Sequence, residues 1–124
     1  MENGANTVDV RISERNRNLI IKIIGDIDQH NAEDIREKVD KAFDRSRCRD
    51  MIFDFSEVEF MDSSGIGLLI GRYKNVYNRG GTVAIANMNR DLGRIYNISG
   101  LKKIIGSFDT LDQAEKQADK RARA

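Results

Sequence analysis

Proline and tryptophan are absent from this chain, and cysteine and histidine occur once each. Without proline, neither a cis-prolyl bond nor a proline kink enters any mechanism. The single Cys48 forms no internal disulfide and supports no cysteine-rich zinc site, and no stretch reads as a signal peptide. Together these point to a reducing interior and give the expectation of a cytoplasmic protein. The apolar runs fall far short of the roughly 20 residues that span a bilayer. Formal net charge is +1, and Lys and Arg are spread along the chain without interleaved aromatics. Neither nucleic acid nor an anionic membrane is therefore expected as a partner. No repeat, low-complexity segment or linker divides the 124 residues, which suffice for one domain with one modest core.

Strand and helix patterns alternate along the chain. Residues 1–6 are small and polar and are expected to fray. Val8, Val10 and Ile12 alternate with Asp9, Arg11 and Ser13, the period of a half-exposed strand. After a polar turn at Glu14 to Asn18, the β-branched run Leu19 to Ile24 suits a strand covered on both faces. These two strands are expected to pair antiparallel. Ala32, Ile35, Val39 and Phe43 recur at helical spacing behind Asn31 as a predicted N-cap. Met51 to Phe55 reads as a short buried strand. Ile66, Leu69, Ile70, Tyr73, Val76 and Tyr77 form the apolar stripe of a second helix, which Gly80-Gly81 should stop. Thr82 to Ala86 is the next strand. Leu92, Ile95 and Tyr96 mark a short third helix, Ile104 to Phe108 a less regular strand, and Leu111, Ala114 and Ala118 a last helix. Strands separated by single helices imply right-handed crossovers and a mostly parallel sheet.

The chemistry concentrates where the third strand gives way to the second helix, at Met61-Asp62-Ser63-Ser64-Gly65-Ile66-Gly67. Asp and Ser at a helix start accept hydrogen bonds from the first unpaired N–H groups, and those same groups and the helix dipole tolerate a phosphate. Gly65, Gly67 and Gly71 allow close approach of the backbone to the sheet or to a partner, and Gly67 in particular is expected to face a crowded helix start. The plain alternative is a capped helix packed on a sheet. A dinucleotide fingerprint is not met, because Gly71 falls one residue late, and no phosphate-loop sequence with Gly-Lys-Ser/Thr exists. Ser63 or Ser64 as a hydrolytic nucleophile needs a base, and His30, the one histidine, stands on another loop. A receiver-like phosphoacceptor domain would use Asp26, Asp28 and Asp54 around Mg²⁺, yet Asp54 lies inside a hydrophobic run, and Asp26 and Asp28 read better as turn acids. Ligand sensing remains the rival from another functional class.

Three stretches carry a family resemblance: Gly25 to Ala32, Phe60 to Lys74 reading FMDSSGIGLLIGRYK, and Ser99 to Ile105. The chain resembles the anti-sigma-F factor antagonists of spore-forming bacteria, a branch of the STAS-domain family. The resemblance implies an α/β STAS fold, expected over residues 7–118; the tail lies outside the resemblance, and 119–124 are expected to be a frayed, solvated helix end. That fold is a four- to five-stranded mixed sheet with about four helices packed mainly on one side. It implies an anti-sigma factor antagonist that is not an enzyme and holds no cofactor. Its unphosphorylated form binds an anti-sigma factor that is also a serine kinase, and so frees sigma F for sporulation transcription. ATP and Mg²⁺ belong to that kinase. Phosphorylation falls on Ser63 and abolishes binding, and a PP2C-type phosphatase reverses it. Asp28 lies on a loop beside the site, Asp62 flanks the acceptor, Ser64 caps the helix, and Gly65 and Gly67 complete the partner-binding set. An antagonist acting on a general-stress or other sigma factor would use the same chemistry. Gln29 and Asn31 depart from the His and Thr usual in the family.

Overall fold

The computed structural model describes residues 7–123; the fraying expected at 1–6 lies outside them. Strand β1 (Asp9–Arg15) pairs antiparallel with β2 (Asn18–Ile24), in register from Asp9 opposite Ile24 to Arg15 opposite Asn18. The turn between them is only Asn16-Arg17, shorter than the expected polar stretch. Both residues have positive φ, 53° and 68°. That is the two-residue hairpin whose twist matches the strands it joins.

The remaining strands run parallel: β3 (Asp50–Glu57), β4 (Val83–Ala86) and β5 (Gly106–Phe108), in the spatial order β1-β2-β3-β4-β5. Helices α1 (Ala32–Arg45), α2 (Ser63–Asn78) and α3 (Arg90–Ile98) make the crossovers, and α4 (Leu111–Arg123) closes the chain. The fifth strand is shorter than the Ile104 to Phe108 expected. Ile104 and Ile105 complete a 3-10 turn at Leu101–Lys103, where the Ile105 N–H donates to the Leu101 carbonyl at 2.8 Å. Buried Ile105 also accepts from the Tyr96 hydroxyl.

The alternation of β3 explains the layers. Met51, Phe53 and Phe55 point to one face, where they join Ile21, Ile23, Ile35, Val39, Phe43, Leu69, Val76 and Leu92 in the main core. Ile52 points to the other face and meets Ala86 and Ala114, so among the described residues α4 alone covers the back of the sheet. Three helices therefore lie on one side and one on the other, around a five-stranded mixed sheet. A run buried on both faces reads as continuous hydrophobicity, as β3 does. Helix α4 continues through residues 119–123 of the segment expected to fray, residue 124 lying outside the described residues. It stays helical to Arg123, and Arg121 donates to Asp50 Oδ1 at 2.7 Å while Arg15 donates to Glu115 at 3.1 Å. At the other end of α2 the predicted stop holds. Gly80, at φ +83°, donates to Tyr77, and Gly81 donates to Val76 in a tight turn where a Cβ would lie 1.8 Å from the Arg49 carbonyl oxygen. Among the described residues no helix is long and apolar enough to cross a membrane.

Candidate functional site

At the C-terminal edge of the parallel strands, two segments run side by side. Ile27 bridges Met61 in parallel fashion, its N–H donating to the Phe60 carbonyl and its own carbonyl accepting from Asp62 N–H, both at 3.1 Å. Asp26 Oδ1 accepts from the N–H groups of Glu59 and Phe60 at 3.3 and 3.1 Å, and Gly25 N–H donates to Glu57. The loop from Gly25 is thus stitched to the segment that enters α2, and the register sets Asp28 beside Asp62. Asp26 is spent on holding this loop, as the turn-acid reading expected.

Asp28 organises the rest of the loop. Its Oδ1 accepts from His30 N–H at 2.9 Å and from Asn31 N–H at 3.2 Å. The predicted cap of α1 is corrected here. Asn31 sits at the N-cap position, but in helical conformation and without a side-chain cap hydrogen bond. Its amide instead accepts from Asp28 N–H at 3.0 Å and donates to the Asp26 carbonyl at 2.8 Å. Cross-linking the loop competes with capping for the same short side chain, and the loop wins.

Helix α2 is capped by Asp62, not by Ser64. Asp62 is extended, and its Oδ1 accepts from Ser64 N–H at 2.8 Å. Ser63 is the first helical residue and is exposed, whereas Ser64 is half-buried. Gly65 is buried, and a Cβ there would lie 2.9 Å from Met61 Cβ and Sδ. The crowding expected at Gly67 therefore belongs to Gly65; a Cβ at Gly67 or Gly71 meets nothing within 4 Å. Gly67 is exposed and Gly71 half-buried, both along an open groove between α2 and α1.

The surface around Ser63 has a distinct chemistry. Asp26, Asp28, Glu59 and Asp62 lie along the two stitched segments with Glu57, which pairs with Lys22 Nζ at 3.4 Å, and Phe60 on the same segment has 52% of its surface exposed. These carboxylates and the exposed Phe60 lie on the two segments that lead into the exposed Ser63 at the N-terminus of α2. His30 is exposed, and among the described residues no hydrogen bond joins it to Ser63 or Ser64. Asp54 is 8% exposed, faces the α4 side of the sheet and accepts from Asn87 Nδ2 at 3.0 Å and from Ser56 N–H.

Sequence reasoning missed Arg72. Its burial pulls the guanidinium below its usual pKa, and its Nε lies 2.8 Å from Asp40 Oδ1 on α1. The buried face of α2 runs Gly65, Leu68, Leu69, Arg72, Val76, while Tyr77, assigned to the apolar stripe, is 64% exposed. The available signal was a lone cation four residues after Leu68 and four before Val76.

The family model described as STAS domain matches residues 8–114. An anti-sigma F factor antagonist of Paenibacillus polymyxa is 35% identical over 91 residues, 73% of this chain and 78% of the relative. An anti-sigma-B factor antagonist of Bacillus subtilis (strain 168) is 31% identical over 98 residues, 79% of this chain and 88% of the relative. Among solved structures, the anti-sigma factor antagonist SpoIIAA in its unphosphorylated form aligns with TM-score 0.69 at 25% identity, covering 94% of this chain and 99% of that one. Bacillus SpoIIAA in the phosphorylated form aligns with TM-score 0.69 at 26% identity, covering 88% and 98%.

Proposed function

The chain belongs to the STAS-domain family, among its anti-sigma factor antagonists, and from that premise we propose that it is a phosphorylation-controlled binding switch whose acceptor is Ser63. Its unphosphorylated form binds an anti-sigma factor that is also a serine kinase and so frees the sigma factor; phosphorylation ends the binding. A PP2C-type phosphatase restores the binding form. The chain works in the cytoplasm, performs no catalysis of its own, and leaves ATP and Mg²⁺ to the kinase.

One observation carries this reading: Ser63 is exposed at the first position of α2, beside a capping Asp62 and within a rim of carboxylates. Its hydroxyl is open to a kinase, whereas that of Ser64 is half-buried. Phosphorylation adds roughly −1.5 to −2 charges. In the free protein the helix dipole and the solvent offset that charge. That both forms of SpoIIAA match this chain equally well fits a modification that leaves the fold standing. In a docked complex the balance reverses. The partner suited to the acidic rim and Phe60 is basic and apolar, and desolvating an extra dianion next to Asp62 without a matched cation costs several kcal/mol.

Sigma F and sporulation are the preferred setting, on the relative with 35% identity. The relative that antagonises an anti-sigma-B factor, at 31% identity, supports sigma B as the second reading. The test is phosphosite mapping after incubation with the kinase and ATP, then titration of the kinase against wild type, Ser63→Ala and Ser63→Asp. Persistent binding by Ser63→Ala and weak binding by folded Ser63→Asp are expected. Equal affinities, or phosphate mainly on another residue, would sink the switch. Purified chain that turned over ATP after Ser63→Ala would contradict the non-catalytic reading. Preference between sigma-F and sigma-B kinases in the same titration decides the setting.

A further inference from the structure

The face of α2 turned toward α1 carries no side chain at Gly67 or Gly71. Ser64 and Leu68 continue that face, and on α1 Ala32, Arg36 and Glu33, whose carboxylate is held by Arg36, form the opposite wall, leaving a shallow open trough that begins beside Ser63. Glycine inside a helix is less favourable than alanine, and among the described residues no side chain enters the space the two glycines leave. Space alone assigns no occupant. The arginine beside it does.

Arg72 lines the trough with only 6% of its surface exposed. Its Nε touches Asp40 at 2.8 Å without hydrogen-bond geometry, and its Nη1 has no hydrogen-bond partner among the described residues. Asp40 has little left to give. It also accepts from Arg36 Nη1 at 3.2 Å and from Asn75 Nδ2 at 3.3 Å. Arg36 in turn donates its Nε and Nη2 to Glu33. Two carboxylates therefore serve two guanidinium groups, but Glu33 is taken up by Arg36 and Asp40 is shared, so the buried Arg72 is left short of acceptors. Buried donors without partners are rare in folded proteins because each forfeits its hydration.

We propose that this trough receives an aspartate or glutamate side chain of the anti-sigma factor, with Arg72 as its anchor. The inference rests on the reading that the face around Ser63 docks that protein. A carboxylate supplies two acceptors in the fork geometry a guanidinium matches. A rotamer change of Arg72 on docking, of a kind common at interfaces, turns its free N–H groups to the incoming oxygens. The bare backbone at Gly67 and Gly71 lets the partner approach closely enough for a short acidic side chain to reach. The two ends of the face then demand opposite charges: a basic group against Asp28 and Asp62, and an acid against Arg72. That polarity fixes the orientation of docking.

The test is calorimetric titration of the purified anti-sigma factor kinase against wild type, Arg72→Met, Gly71→Ala and Ser63→Asp, each checked for folding by thermal denaturation. Arg72→Met and Gly71→Ala are each expected to weaken binding about tenfold or more. Replacing the kinase's surface acids singly by Asn or Gln should reveal one whose loss weakens wild type about tenfold and Arg72→Met hardly at all. Should Arg72→Met fail to fold, Gly71→Ala and the acid scan decide, since the added methyl enters open space. Wild-type affinity for both trough variants, with binding lost only in Ser63→Asp, would overturn this inference and leave the switch intact. No binding by wild type would overturn both.

Discussion

At Gly65 and Gly67, two residues apart on one helix, the same substitution has opposite consequences. Gly65→Ala places a methyl 2.9 Å from the Cβ and Sδ of buried Met61. The sulfur can swing, but the Cβ moves only with the backbone, so a loss of about 1–3 kcal/mol is expected. Gly67→Ala meets nothing and replaces the poorer helix former, a gain of up to about 1 kcal/mol. Thermal melts of the two variants should therefore shift in opposite directions, by a few degrees each. A destabilised Gly67→Ala would show that its open face is not open in solution. The sequence showed that glycines cluster at this helix start. It did not show which one is packed, because a shift of two residues turns about 200° around a helix and only the neighbouring layers say what lies there.

At the scale of the element, the start of α2 depends on Asp62. Asp62→Ala removes the acceptor for Ser64 N–H and should cost about 1 kcal/mol. Asp62→Asn keeps an oxygen there and should cost a fraction of that, so urea denaturation of the pair separates the cap from the charge. If Asn cost as much as Ala, the carboxylate charge and not the cap would be what matters. The neighbouring loop makes the same point in reverse. Asn31 looked like the cap of α1 and instead ties Asp28 to Asp26. Asn31→Ala should therefore leave α1 intact while speeding amide exchange at His30 and Asn31, whose N–H groups bind Asp28. Unchanged exchange there would mean that the backbone bridge between Ile27 and Met61 holds the loop alone. Cap residues were legible by type, but Asp, Asn and Ser bond equally well to helix ends and to loop backbone. The choice falls to whichever donor the tertiary structure brings near.

For the whole molecule, α4 is the element least like its expectation. It lies alone on the back of the sheet through Ala114 and Ala118, small residues that bury little area. Its anchors are therefore partly ionic: Arg121 to Asp50, and Arg15 to Glu115. Asp50 is 4% exposed and also holds Arg49 and the Thr82 N–H. Arg121→Ala leaves those partners in place, so the expected loss is at the low end for a hydrogen bond to a charged group, about 1.5 kcal/mol. Chemical denaturation would measure it, and no change would show that the Arg121–Asp50 pair does not anchor α4.

The sequence by itself determined the alternation of strands and helices, the antiparallel first pair, the stop at Gly80-Gly81 and the position of the Asp62-Ser63-Ser64 helix start. Each of these depends on local spacing, turn chemistry or a run of apolar residues, all of which act within a few positions of the chain. Tertiary structure alone decided which serine is exposed, which glycine is packed, that Arg72 is buried beside Asp40, and that α4 crosses to the back of the sheet. Arg72 and α4 owe their places to contacts between residues more than thirty positions apart, Asp40 with Arg72 and Asp50 with Arg121, and Gly65 is packed by Met61, itself bridged to distant Ile27. A lone charge or a small residue looks the same in the sequence whether it faces water or a neighbouring layer. Only the packing of the layers removes its water and leaves it to find a partner.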